Sequence, residues 1–191
     1  MQIILRVISG IAKGHKLKTV KGSTTRPTSD MVKESLFNII AEYVPDARVL
    51  DLFAGTGNLG IEALSRGARY AVFVDKSREC IRIIRENLIH TRLLEKAEII
   101  QANSIEYIKK LSHTDSKFDI IFMDPPYNEN LIVPVLDIIG NGDIISENGI
   151  IAVERTNKNE IPEQIGCLIK FKDRKYGTTS LSFYKHSSLC I

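Results

Sequence analysis

Asp124-Pro125-Pro126-Tyr127 is the stretch whose residue types and order fit a definite chemistry. A carboxylate followed by two prolines offers acceptors and no competing donor, because proline has no backbone N–H. The prolines also fix φ at two successive positions, so those acceptors are held in one geometry. An exocyclic amine of a nucleobase is a poor nucleophile, since its lone pair is conjugated into the ring. Two acceptors that take its N–H groups favour a pyramidal nitrogen and aim the lone pair at an electrophilic carbon. The Asp124 carboxylate and the Pro125 carbonyl are candidates for that pair. Tyr127 is a candidate platform for an extruded base, a contact of roughly 1–3 kcal/mol. Two prolines that merely end a strand would explain Pro125 and Pro126 but leave Asp124 and Tyr127 without a reason. The remaining work is in-line positioning, which calls for neither a metal nor a covalent nucleophile. His15, His90, His113 and His186 are scattered and take no assigned role.

A second constellation lies upstream, in Asp51-Leu52-Phe53-Ala54-Gly55-Thr56-Gly57-Asn58-Leu59-Gly60. Gly55, Gly57 and Gly60 satisfy the G-x-G-x-x-G fingerprint, which by itself is also what a dinucleotide site carries. Glycines here let the backbone approach a ligand at a helix N-terminus. Asp51 discriminates between ligands. A carboxylate at this point would repel a pyrophosphate but suits a ligand carrying an ammonium and a sulfonium, which favours S-adenosylmethionine. Asp75 follows Gly57 by 18 residues, near the ~20-residue spacing at which an acid receives ribose hydroxyls. Asn103 and Ser104 could meet an adenine, through the Asn103 side chain or the Ser104 backbone, although both types are also common helix caps. The cofactor-binding candidates are thus Asp51, Phe53, Gly55, Gly57, Asn58, Asp75, Lys76, Asn103 and Ser104.

These residues need elements to bring them together. From residue 48 the chain alternates β-rich apolar runs (48–53, 70–75, 97–102, 118–124, 149–155) with helical patterns near 58–66, 77–90, 104–111 and 131–139. That alternation predicts a parallel, doubly wound α/β sheet with ligands at the carboxyl ends of its strands. Residues 167–176 and 179–186, joined by Gly177-Thr178, predict an antiparallel hairpin at one sheet edge. The fold expected is Rossmann-like: a mostly parallel seven-stranded sheet with a terminal hairpin. A small N-terminal extension, a β-hairpin from pieces at 2–9 and 15–20 plus a helix over about 28–43, precedes it. The corresponding division is 1–47 for the basic extension and 48–191 for the catalytic domain.

The formal net charge of +3 does not by itself indicate a nucleic-acid partner. Its distribution is more telling: residues 1–29 carry Arg6, Lys13, Lys16, Lys18, Lys21 and Arg26 without one acid. A one-sign stretch suits a polyphosphate, and equally a solvated basic ribbon. Lys13, Lys16, Lys18 and Arg26 are the candidate RNA contacts. Cys80, Cys167 and Cys190 are an odd number, far apart, so no disulfide framework or zinc site is expected, and a reducing, cytoplasmic setting follows. No apolar run reaches the ~20 residues of a bilayer span.

Taken together, DLFAGTG, FVD and DPPY resemble the class I methyltransferases that modify exocyclic amines. More closely, the chain resembles the RsmD-type 16S rRNA (guanine-N2)-methyltransferases. The likeness extends over RVISGIAKGHKL, RPTSDMVKESLFNII (26–40), DLFAGTGNLGIEALSRGA (51–68), DPPY and KYGTTSLSFYK (175–185), and the RPTSDMVKESLFN block is its most specific part. The resemblance implies S-adenosylmethionine as donor and a guanine of 16S rRNA, free or in a partly assembled small subunit, as acceptor. It implies that Asp51, Gly55, Gly57 and Asp75 bind cofactor and that Asp124 to Tyr127 hold the base. Asn103 stands where many such enzymes have Asp. Arg26, Thr28 and Asp30 are implied at the methionine end of the cofactor or at the RNA entrance. A DNA adenine-N6 methyltransferase would share the tetrapeptide but normally carries a target-recognition domain. A protein-glutamine methyltransferase usually has Asn where Asp124 stands. A non-catalytic RNA-binding factor would have no use for Asp51, Asp75 and DPPY. An NAD dehydrogenase would need a hydride-transfer site, for which there is no candidate.

Overall fold

The computed structural model describes residues 5–20, 30–126 and 130–187. Eight strands form one sheet: β1 (Arg48–Asp51), β2 (Tyr70–Asp75), β3 (Ala97–Gln101), β4 (Phe118–Met123), β5 (Ile145–Thr156), β6 (Gln164–Ile165), β7 (Leu168–Tyr176) and β8 (Thr179–His186). Their order is β3-β2-β1-β4-β5-β8-β7-β6. β1 to β5 run parallel, and β6, β7 and β8 pair antiparallel. This is the expected sheet with one strand more than seven. The addition, β6, is two residues long and too short to leave a periodic signal.

Helices α1 (Asp30–Ile39), α2 (Asn58–Ser65), α3 (Arg78–His90), α4 (Ser104–Leu111) and α5 (Ile132–Asn141) cover both faces. β2 and β4 are apolar on both sides because each face packs under helices. Val49, Phe73 and Phe122 meet Leu36 and Phe37 of α1, Ile61 and Leu64 of α2, and Ile84 and Leu88 of α3. Leu50, Val72 and Ile121 meet Ile108 of α4 and Val135 and Leu136 of α5.

The N-terminal region doubles back on itself as an antiparallel ribbon: Val7 N–H donates to His15 C=O (3.0 Å), Gly14 N–H to Val7 C=O (2.9 Å) and Leu17 N–H to Leu5 C=O (2.8 Å), with one β-bridge among the described residues, Arg6 to Lys16. Further backbone donors of the ribbon reach α2: Ile8 and Ser9 N–H donate to Glu62, and Ala12 N–H donates to Ser65 Oγ. Leu5, Val7, Ala12 and Leu17 complete the core shared with α1 to α3. The expected long helix is α1 followed by a 3-10 turn at Ala41–Tyr43. One disulfide corrects the cysteine reading: Cys80 is free and Cys167 is disulfide-bonded. An odd count still permits one pair, and separation in sequence does not bound separation in the fold. Cys190 lies outside the described residues. No described helix is long and apolar enough to cross a membrane.

Candidate active site at the carboxyl edge of the sheet

The strand order reverses between β1 and β4, so the crevice of this open sheet lies above their carboxyl ends. Asp51 is the last residue of β1, Asp75 the last of β2, and Asp124 follows β4. The turn after β1 takes a left-handed course through Gly55 (φ 53°) and Gly57 (φ 79°) before α2 begins at Asn58. Gly60 serves packing: a Cβ there would come 2.3 Å from the Phe73 ring, so only glycine lets α2 lie this close to β2.

Two carboxylates clamp the turn. Gly60 N–H donates to Asp51 Oδ2 (3.0 Å), and Gly55 N–H donates to Asp75 Oδ2 (2.8 Å). Asp75 Oδ1 also accepts from Ser77 N–H (2.8 Å). Each carboxylate oxygen has a second lone pair, so Asp75 keeps acceptor capacity for hydroxyls. Asp51 is buried, and its carboxyl is pushed up to about 7, first by desolvation, then by nearby Asp75 and against the Gly60 hydrogen bond.

Asp124 is held well above the ordinary carboxylate range by desolvation first, then by repulsion from Glu154 and Asp51. Glu154 is buried in β5. Met123 pairs with Val153, so Asp124 and Glu154 extend the same pairing by one residue. Glu154 and Asp124 thus join Asp51 and Asp75 as four acids along one edge of the sheet. Pro125 is buried beside Asp124, and Pro126 is exposed. Tyr127 lies outside the described residues, as do Arg26 and Thr28.

The other candidates are placed as follows. Asn103 Oδ1 caps α4 by accepting from Ile105 and Glu106 N–H (2.9 and 3.3 Å), so its side chain is engaged in helix capping. Ser104 is buried, and its hydroxyl donates to Leu52 C=O (2.6 Å), tying α4 to the end of β1. Phe53 is half-buried, and Lys76 is exposed with its carbonyl near the Gln101 amide (3.5 Å). Asn58 Oδ1 accepts from Lys33 Nζ (2.7 Å). That ammonium also donates to Arg6 C=O (2.6 Å) and pairs with Glu62 (3.0 Å), both side chains fully buried. Asp30 opens α1 and pairs with Arg6 (3.0 Å). Lys13, Lys16 and Lys18 are exposed on the ribbon, with Lys18 paired to Glu86 of α3 (2.8 Å).

Sequence reasoning missed Glu154 and the Lys33–Glu62 pair. Glu154 had a signal, a lone acid ending the apolar run GIIAVE much as Asp51 and Asp75 end theirs, although β5 continues two residues beyond it. Among the described residues, no cluster of three or more His, Cys, Asp or Glu could hold a metal ion.

A sheet of this order, with a glycine turn opening α2 and acids along its carboxyl edge, defines the α/β class to which methyltransferase folds belong. Within that class the chain belongs to the family described as Conserved hypothetical protein 95, which residues 5–185 match. It is 40% identical over 181 residues to YlbH of Bacillus subtilis (strain 168), covering 95% of this chain and 98% of YlbH. It is 32% identical over 185 residues to the ribosomal RNA small subunit methyltransferase D of Haemophilus influenzae, covering 95% and 94% of the two chains. The solved structure of yhhF from Escherichia coli superposes with a TM-score of 0.83 at 29% identity, covering 96% of this chain and 98% of that one.

Proposed function

We propose that this protein transfers the methyl group of S-adenosylmethionine to the exocyclic N2 amine of a guanine in 16S rRNA. The observation that carries the reading is the pairing of two sites on one sheet edge. Asp124-Pro125 follows β4, directly beside the acid-clamped glycine turn that follows β1. The name of the Haemophilus influenzae relative supports small-subunit rRNA as the acceptor.

The residues fit such a cofactor. Asp51 and Asp75 flank a turn that brings backbone close to a ligand, and paired acids favour a cation over a pyrophosphate. When bound, S-adenosylmethionine supplies an electrophilic methyl group on a sulfonium. Asp51, Gly55, Gly57 and Asp75 would hold it, with Phe53, Asn58, Lys76 and the Asn103-Ser104 corner around them. The crowded acids keep Asp124 inclined to its neutral form in the free protein. Positive charge at this edge favours the ionised carboxylate, which can then accept from the amine. Asp124 and the Pro125 carbonyl take its two N–H groups and direct the lone pair. The proton shed after transfer passes to the carboxylate already bonded to it. Tyr127 supplies the stacking surface.

Titration calorimetry tests the cofactor, with S-adenosylmethionine or its demethylated product binding and NAD not. Asp124→Ala should cut methyl transfer by roughly 100-fold or more, with a folded protein by circular dichroism and cofactor affinity changed only a few-fold. Wild-type turnover in this variant removes Asp124 from the mechanism.

A further inference from the structure

The antiparallel ribbon of β7 and β8 carries the sheet outward from the site in one register. Glu154 lies opposite Leu181, and Leu181 lies opposite Arg174. Asp124 continues the same row on the other side of β5. With strands about 4.8 Å apart, Arg174 stands roughly 14 Å from Asp124 along the row. Opposed residues share a face, so Lys172, opposite Phe183, and Arg174 lie on the side where Leu181, Phe183 and Phe122 pack.

Between Lys170 and Lys172 the register shifts, which leaves Phe171 as the extra residue of a bulge. Bulges re-aim a side chain. Phe171 is 39% exposed, its ring 6.2 Å from that of Phe183 and its centroid 5.9 Å from the Lys185 ammonium. Neighbouring cations of the ribbon are neutralised: Arg155 pairs with Asp173 and Lys170 with Glu163. Lys172, Arg174 and Lys185 form no ion pair among the described residues.

We propose that this patch is a contact surface for single-stranded RNA, on which a base flanking the methylated nucleotide stacks against Phe171 while Lys172, Arg174 and Lys185 take its phosphates. The proposal rests on RNA being the acceptor, as argued above. An exposed ring among unneutralised cations matches a partner that alternates planar bases with phosphates. A ring that only shielded Phe183 from water would have no use for those cations. A duplex hides its base faces, so the patch selects unpaired strand.

The test uses the full-length protein, Phe171→Leu and Phe171→Trp, with one fluorescent RNA oligonucleotide presented single-stranded and as a duplex. Leucine keeps apolar cover but offers no ring face, and tryptophan keeps stacking. Phe171→Leu should weaken single-strand binding roughly tenfold and leave duplex binding and melting temperature unchanged, and Phe171→Trp should bind like the wild type. Equal single-strand affinity for wild type and Phe171→Leu overturns the proposal. So does binding to phosphatidylserine vesicles that Phe171→Leu abolishes while RNA affinity holds, because the patch then serves a membrane. Methyl transfer to small-subunit rRNA is measured in parallel. A wild type inactive on rRNA refutes the acceptor reading and the patch with it, whereas an active wild type matched by Phe171→Leu in RNA binding refutes the patch alone.

Discussion

Burial pushes the Asp51 carboxyl up to about 7 although the Gly60 N–H favours its ionised form. The folded chain therefore holds a proton that the unfolded chain releases near 3.8. Linkage sets the sign: the contribution of protonated Asp51 to stability is present below about pH 4 and is lost as pH rises to about 7. A cationic ligand prefers the ionised form, so binding must expel that proton below pH 7. S-adenosylmethionine affinity should rise about tenfold between pH 6 and pH 8 in titration calorimetry, with proton release at the lower pH. In Asp51→Asn, which still accepts from Gly60, that rise should shrink to whatever Asp124 contributes, and a slope equal to the wild type's would remove Asp51 from cofactor binding. Asp51, the glycines, Asp75 and Asp124 were legible in the sequence because residue type and strand-end position carry their chemistry. Asn103 was legible only as two alternatives, since one side chain can cap a helix or meet an adenine, and the geometry gives it the cap. Glu154 was hidden because it reads as the end of an apolar strand until β4 brings Asp124 beside it.

The elements that carry the site were legible for a different reason: β1, β2 and β4 are buried on both faces, and continuous apolar runs between helical patterns have few other solutions. The N-terminal ribbon was legible as a hairpin but not in its anchorage, because what ties it down is Glu62, more than 50 residues away in sequence. That carboxylate accepts from Ile8 and Ser9 N–H, pairs with Arg66 at 2.7 Å and meets the buried Lys33 ammonium. Desolvation lowers the Lys33 pKa against the pull of Glu62. The pair thus joins ribbon, α1 and α2, and through Asn58 it reaches the glycine turn. Lys33→Met should cost about 3 kcal/mol in urea unfolding, since it takes one of the two cations from buried Glu62 and leaves the Asn58 side-chain oxygen and the Arg6 carbonyl without the donor they share. Unfolding at the wild-type urea concentration would show that the network does not hold these elements together.

Across the whole molecule, basic surfaces lie at both flanks of the site, the ribbon against α2 and α3 and the β7–β8 pair beyond β5. Lys13, Lys16 and Lys18 would meet RNA phosphates and displace condensed counterions. Replacing all three by Ala should weaken binding to partly assembled small subunits and flatten its salt dependence, with cofactor affinity unchanged. An unaltered salt slope in filter binding would mark the ribbon as solvated surface, a result that the Lys18–Glu86 pair makes most telling for Lys13 and Lys16. The central claim is the identity of the methylated atom, and mass mapping of modified nucleosides in 16S rRNA tests it most directly. RNA is compared from cells with the protein, without it, and with Asp124→Ala in its place. The account predicts one N2-methylguanosine that is lost with the protein, restored by the wild type and not restored by Asp124→Ala. An unchanged set of 16S guanine modifications in cells lacking the protein would contradict it.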